Sequence, residues 1–307
     1  MRWLVALVSL RASAMDRDDA AAAMARARAH SKAAREAQGG AASSAGTHAH
    51  DSQHRRHYRH GEEHTRRKQR PCATDDCMEA ALAKVLTCYG PYASRVSRGP
   101  VHREVVTEDA VAVYGALGDA DVANLGALAA CVERHGPDRK PEERPFHDQS
   151  GANLCANLNW FFQRAAPELA DRVYAVAAAA AAGAGPAFAA DPRDLELRVV
   201  EKVTYRRAGR LDFHRDAHST YTLVLMLSDP GSDFDGGHFV ARHGHDAYEV
   251  DLAHFGGVLI RSDVPHGIGM VTRGKREVLA VEFWAHQAAN ATEHRPEPRR
   301  PGDRSEL

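Results

Sequence analysis

No run of eighteen or more apolar residues occurs anywhere in this 307-residue chain, so none of it reads as a transmembrane helix. Nor is there a surplus of either charge: 40 Lys+Arg stand against 41 Asp+Glu. That argues against a nucleic-acid binder working by overall basicity. Cysteine is scarce. The five residues (Cys72, Cys77, Cys88, Cys131 and Cys155) are odd in number and scattered. Cys72 and Cys77 have C-x4-C spacing but no second pair, which argues against a structural zinc site. A disulfide between those two requires an oxidising compartment.

The near-zero net charge hides an asymmetry. Residues 1–70 hold 14 Lys+Arg against 7 Asp+Glu, and the remainder holds 26 against 34. Met1 to Ala14 (MRWLVALVSLRASA) has a basic start, a short apolar run and an Ala-x-Ala-like end. Two readings stay open, a weak signal peptide or an ordinary N-terminus, so cytoplasmic and secretory locations both stand. Residues 16–38 are Ala/Arg-rich with no large apolar face, and residues 39–70 are mostly Gly, Ser, His and Arg. Ordering such a segment has little apolar burial to offset its entropy, so 1–70 is expected to be disordered. The Pro- and Arg-rich 288–307 reads as a second disordered tail.

Between these ends the chain reads as helices first and strands second. Asp75 to Leu86 opens with acids and continues with helix formers, and Asp119–Asp121 introduces another helix that Gly136 and Pro137 close. Asn153 to Ala182 is expected to be helical, with Pro167 starting a second helix inside it. Residues 71–194 thus read as a helical region, the support region of the chain if the resemblance described below holds. Seven short β-rich segments come after it: Val199–Tyr205, Tyr221–Leu227, His238–Arg242, Ala247–Leu252, Gly257–Arg261, Ile268–Thr272 and Val278–Trp284. Their spacing predicts an antiparallel sandwich or barrel, giving an α+β chain.

Nineteen histidines make any single histidine motif weak. With 23 Asp in the same length, about one H-x-D is expected by chance. His214-Arg215-Asp216 gains meaning from residues further along the chain. At a strand end, positions i and i+2 share a face, so His214 and Asp216 can share a ligand. His266 comes fifty residues later and Arg276 ten after that. Two imidazoles and one carboxylate on one face of an octahedral metal form the facial triad of non-haem Fe(II) oxygenases.

Here the chain resembles a family. Tyr205 through Asp216 (YRRAGRLDFHRD) is similar to the Y…G…H-x-D opening of the prolyl 4-hydroxylase-like branch of Fe(II)/2-oxoglutarate dioxygenases. Asp233-Phe234-Asp235-Gly236-Gly237 resembles that branch's D-F-x-G-G turn. Gly256 to Ser262, His266, Val271, Thr272, Gly274 and Arg276 resemble its closing block in order and spacing. The likeness covers roughly residues 195–287. It implies a double-stranded β-helix, or jelly roll, buttressed by the preceding helices. It also implies Fe(II) held by His214, Asp216 and His266. The far carboxylate of 2-oxoglutarate would sit on Arg276 with Tyr205 adding a hydroxyl, and ascorbate would be an auxiliary. The implied reaction takes molecular oxygen and hydroxylates a peptide or small molecule, a peptidyl proline being favoured, with release of succinate and CO2.

One departure stands out. Many relatives carry a tyrosine where Met226 precedes Leu227-Ser228. His218 is expected at the surface or behind the ligands, His238 at the cleft or in solvent, and His243, His245 and His254 in exposed turns. Trp160-Phe161-Phe162 is read as core. Glu201, Tyr221, Thr222 and Trp284 receive no role. The competing reading is a non-catalytic jelly-roll metal-binding or interaction protein that uses its many histidines.

Overall fold

The computed structural model describes residues 75–92, 96–136 and 152–285, apart from 217 and 245. The expectations for 1–70 and 288–307, and for Cys72 and His245, lie outside the described residues. Helix α1 spans Asp75–Tyr89. A hairpin of β1 (His102–Thr107) and β2 (Ala110–Tyr114) leads to helix α2 (Asp119–His135). Strand β3 (Asn153–Asn157), the short helix α3 (Phe162–Ala165) and helix α4 (Pro167–Ala181) come next. Nine strands follow among the described residues: β4 (Glu196–Arg206), β5 (Leu211–His214), β6 (Tyr221–Met226), β7 (Phe234–Gly236), β8 (Phe239–His243), β9 (Asp246–Val250), β10 (Gly257–Arg261), β11 (His266–Ile268) and β12 (Val271–Trp284).

Strand order shows how the chain is wound. The larger sheet runs β1-β2-β10-β6-β12-β4-β3, with β7 beside β12, and the smaller runs β5-β11-β8-β9. From β4 onward the main strands cross repeatedly between the two sheets. Strands β4, β6, β10 and β12 lie in the larger sheet; β5, β8, β9 and β11 lie in the smaller. Four antiparallel strands facing four, wound in this alternation, make a jelly roll.

The pleat sorts each strand's residues between two cores. Leu223, Leu225, Leu279, Val281 and Phe283 face the helices and pack with residues such as Leu125, Leu128, Leu169 and Val173. Val203, Tyr205, Val224, Met226, Val258 and Val278 face inward and meet Phe239, Ala241, Val250 and Ile268 of the smaller sheet. Strand β6 is buried along its whole length, which explains why Tyr221–Met226 is almost continuously apolar rather than alternating. Trp160, Phe161 and Phe162 are buried in the helix-side core.

Three sequence expectations need correction. First, residues 153–157 are a strand rather than the start of a helix. They add to the exposed edge of β4, with Asn153 opposite Tyr205 and Asn157 opposite Glu201. The asparagines at the end of this strand work against a helix: Asn157 Oδ1 accepts the Asn159 amide, and Asn159 Oδ1 accepts the Val200 amide. Second, the support region carries β1, β2 and β3 beside its helices. Third, the last two expected segments are divided elsewhere. Strand β12 runs unbroken through Arg273–Arg276, and Gly274, at φ +72°, lets β7 come so close that a Cβ would lie 1.9 Å from the Asp233 carbonyl.

A disulfide joins Cys88 on α1 to Cys131 on α2, two residues the spacing did not connect. Cys77 is disulfide-bonded too. The Cys88–Cys131 link closes a loop with a sequence separation of 43. A loop of that size is expected to contribute up to about 4 kcal/mol by restricting the unfolded chain. The Cys88→Ala/Cys131→Ala double variant should therefore unfold at lower denaturant. An unchanged midpoint would show that the link contributes nothing.

Candidate metal and anion site

His214 is the last residue of β5 and His266 the first of β11, and the two are cross-strand neighbours. Their ring centroids lie 4.4 Å apart. Asp216 stands just past β5, with Oδ1 3.3 Å from His214 Nε2 and Oδ2 3.4 Å from His266 Nε2. Ligand atoms of all three residues lie within 4.8 Å of one another. The far side of each ring is occupied: Nδ1 of His214 is 3.1 Å from the Asp212 carbonyl, and Nδ1 of His266 is 3.0 Å from the Val264 carbonyl. A carbonyl only accepts, so Nδ1 carries the proton in each ring and the Nε2 lone pair faces inward. This is the outer-shell arrangement that fixes imidazoles for a metal.

The electrostatics differ across the triad. Burial lowers the His266 pKa and keeps that ring neutral. Burial also opposes charge on the more exposed His214, but the Asp216 carboxylate outweighs it and the net direction is upward. Asp216 itself is moved up by burial and further down by the two imidazoles and Thr222, so it stays ionised. One carboxylate and two inward lone pairs suit a divalent first-row metal.

Arg276 lies on β12 directly across from Tyr205 on β4, and its Cζ sits 5.3 Å from the centre of the Tyr205 ring. The residue is completely buried, and among the described residues Nε, Nη1 and Nη2 have no hydrogen-bond partner. Burial pulls its pKa down to about 10, which leaves it charged at neutral pH. A buried guanidinium with three idle donor nitrogens is costly unless an anion meets it. Its planar fork matches a carboxylate in two parallel bonds. Burial drives the Tyr205 phenol well above its usual range, with Arg276 opposing and the Glu201 and Asp216 carboxylates adding to the rise. Tyr205 therefore lies within electrostatic reach of both the triad and the guanidinium.

Gly237 makes room for that guanidinium. It sits at φ +64°, and a Cβ there would stand 2.9 Å from both Arg276 Cδ and Val271 Cγ2. Gly237→Ala is expected to cost about 1–2 kcal/mol from the left-handed backbone alone. It should also displace Arg276, so anion affinity should fall along with the unfolding midpoint. A stable variant with unchanged affinity would refute the spacing argument.

Other residues singled out in the sequence lie around this site or away from it. Met226 is buried inside the barrel opposite Val278, so that position supplies no hydroxyl. His218 is exposed and outside the triad. His238 is half-buried, with Nδ1 3.9 Å from Glu249. His254 lies in a turn as expected but is half-buried rather than exposed, and it stacks on Phe255 at 3.7 Å. His243 is exposed and lies beside Glu108 and Asp109. That second cluster could gather a cation, but Asp109 is already 3.3 Å from Arg261. Sequence reasoning assigned nothing to Thr222, whose hydroxyl donates to Asp216 Oδ2 at 2.5 Å, or to Ser262 behind it. Thr222 could have been noticed as the one small hydroxyl on the inward face of an apolar strand. Glu282 also went unassigned. It pairs with Arg198 at 2.7 Å, and its pKa is raised to about 7 by burial first and Asp216 second.

No family model matches the chain, and no curated protein does. Among solved structures it is similar to the non-haem alpha-ketoglutarate-dependent epimerase SnoN from nogalamycin biosynthesis. That match has 15% identity and a TM-score of 0.43, covering 74% of this chain and 92% of the other. A 2OG-Fe(II) oxygenase family oxidoreductase from Burkholderia pseudomallei matches at 17% identity and TM-score 0.40, with 66% and 89% covered. A prolyl-4-hydroxylase from Pseudomonas putida matches at 17% identity and TM-score 0.40, with 66% and 98% covered.

Proposed function

We propose that the protein is an Fe(II)- and 2-oxoglutarate-dependent dioxygenase. In this reading His214, Asp216 and His266 hold the metal, and Arg276, with Tyr205 beside it, receives the far carboxylate of 2-oxoglutarate. The observation that carries it is a fully buried guanidinium, without a hydrogen-bond partner among the described residues, inside the same barrel as a His-Asp-His triad. A protein that merely stored metal would need the triad but would have no use for a costly buried cation. Bound iron would supply the oxygen chemistry, while the chain orients the cosubstrate and keeps the pocket dry. The balanced reaction consumes a C–H substrate, O2 and 2-oxoglutarate and yields the alcohol, succinate and CO2. The motif resemblance around Tyr205–Asp216 favours a peptidyl proline or a similar side chain as substrate.

The direct test supplies Fe(II), ascorbate and 2-oxoglutarate and tracks succinate together with CO2. Equal amounts of the two, abolished by a chelator, are expected. Absence of both with Fe(II)-loaded protein, across a panel of peptides and metabolites, would count against the reading.

A further inference from the structure

The three proposed metal ligands are not equally supported. His214 and His266 lie on paired strands. Asp216 lies beyond the end of β5, in the segment leading to β6, where no ladder fixes its side chain. Its amide donates to the Ser262 carbonyl at 2.9 Å. Its carboxylate is held separately: the Thr222 hydroxyl donates to Oδ2 at 2.5 Å. Thr222 has only one hydroxyl proton. Because that proton goes to Asp216, the 2.9 Å contact between Thr222 Oγ1 and Ser262 Oγ must have Ser262 as donor. Both hydroxyl residues are buried, so water does not compete for these bonds. The result is a directed chain, Ser262 to Thr222 to Asp216, in which each bond polarises the next. Ser262 therefore holds Asp216 twice, through its own carbonyl and through Thr222.

We propose that Thr222 is a positioning residue for the metal. Its hydroxyl donates to Asp216 Oδ2 and fixes the rotation of the carboxylate, so that Oδ1 is held beside His214 Nε2 and Oδ2 beside His266 Nε2. Ser262 aims that hydroxyl. The inference rests on the reading that the triad holds a divalent metal. A carboxylate free to rotate would meet the metal in no fixed orientation relative to the two imidazoles. A carboxylate with its rotation fixed meets the metal in one orientation relative to the two imidazoles, as a facial triad requires. Thr222 thus acts on the metal through Asp216, whose orientation it holds.

The test uses Co(II) as a spectroscopic probe in the full-length protein, without oxygen or substrate. Wild type, Thr222→Val, Thr222→Ser and Ser262→Ala are compared for Co(II) dissociation constant, visible ligand-field spectrum and metal-free melting temperature. Thr222→Val is expected to bind roughly 10–100-fold more weakly, the usual cost of losing an outer-shell partner. Its spectrum should change, while Thr222→Ser restores both readouts. Ser262→Ala should weaken binding less and in the same direction, which keeps the proposal testable if the valine variant folds poorly. Wild-type affinity and spectrum in both Thr222→Val and Ser262→Ala would overturn the proposal. So would failure of Thr222→Ser to restore binding, because the effect would then come from packing. If the wild type binds no Co(II), or Asp216→Ala binds it equally well, the metal assignment itself falls and takes this inference with it.

Discussion

Arg276→Met should make the metal-free protein more stable and, in the same step, remove its response to 2-oxoglutarate. The first half rests on burial. Burial lowers the Arg276 pKa to about 10, well below the ordinary arginine range. For a base, a folded-state value below the unfolded one means that the charged form costs stability. The cost is fully present below the folded value of about 10 and is relieved as pH rises above it. At 1.36 kcal/mol per pKa unit, the cost near neutrality is about 3 kcal/mol. Methionine is flexible enough to fill the space without the charge. Thermal unfolding of metal-free protein should therefore shift upward in the variant.

The second half rests on mass action. Under anaerobic conditions with metal, 2-oxoglutarate at about a hundredfold its dissociation constant should stabilise the wild type by about 2.7 kcal/mol. Arg276→Met should show almost none of that gain, because losing one partner of a buried charge pair costs about 2–5 kcal/mol of affinity. Arg276→Lys should be intermediate, since an ammonium keeps the charge but loses the two-bond fork. If Arg276→Met lowers the melting temperature and still responds fully to 2-oxoglutarate, the guanidinium serves the core and not an anion.

Much of the candidate site was legible because its marks are local. His214 and Asp216 share one tripeptide, and His266 and Arg276 sit among the glycine-rich strands that close the barrel. What the sequence could not convey depends on register and distance. Thr222 reaches Asp216 only because β6 packs beside the segment after β5, and nothing in YTLVLM announces that partner. Strand β5 is missing from the seven β-rich segments for a related reason, although His214 was placed at a strand end. It is four residues long, and Phe213 faces outward under Arg242 where alternation would place a polar residue. Asn153–Asn157 was misread because five residues seldom separate helix from strand, and the free edge of β4 decided the matter. The Cys88–Cys131 pair was invisible for the plainest reason: a separation of 43 residues says nothing about a Cα–Cα distance of 5.8 Å.

Asp216→Ala and His266→Ala should each abolish 2-oxoglutarate-coupled turnover and weaken metal binding by more than the roughly 10–100-fold typical of an outer-shell loss. The two variants should differ in stability. Asp216 balances two imidazoles and accepts the Thr222 hydroxyl, so its removal leaves a buried donor idle at a cost of about 1–3 kcal/mol. His266 is stacked on Phe239 with ring centroids 5.6 Å apart, so its truncation opens a cavity in the barrel interior. His266→Gln fills that space better and should keep the fold while losing the metal. Metal affinity in the wild type should also fall as the medium is acidified. The raised His214 pKa means that a proton competes for Nε2 up to a higher pH than on an ordinary histidine, and binding must release it. Titration calorimetry in two buffers of different ionisation enthalpy would count those protons. The histidine-rich stretch 48–64 provides the opposing forecast. If metal stays bound after the triad is altered and departs when 48–64 is removed, the triad is not the metal site, and the dioxygenase reading loses its centre.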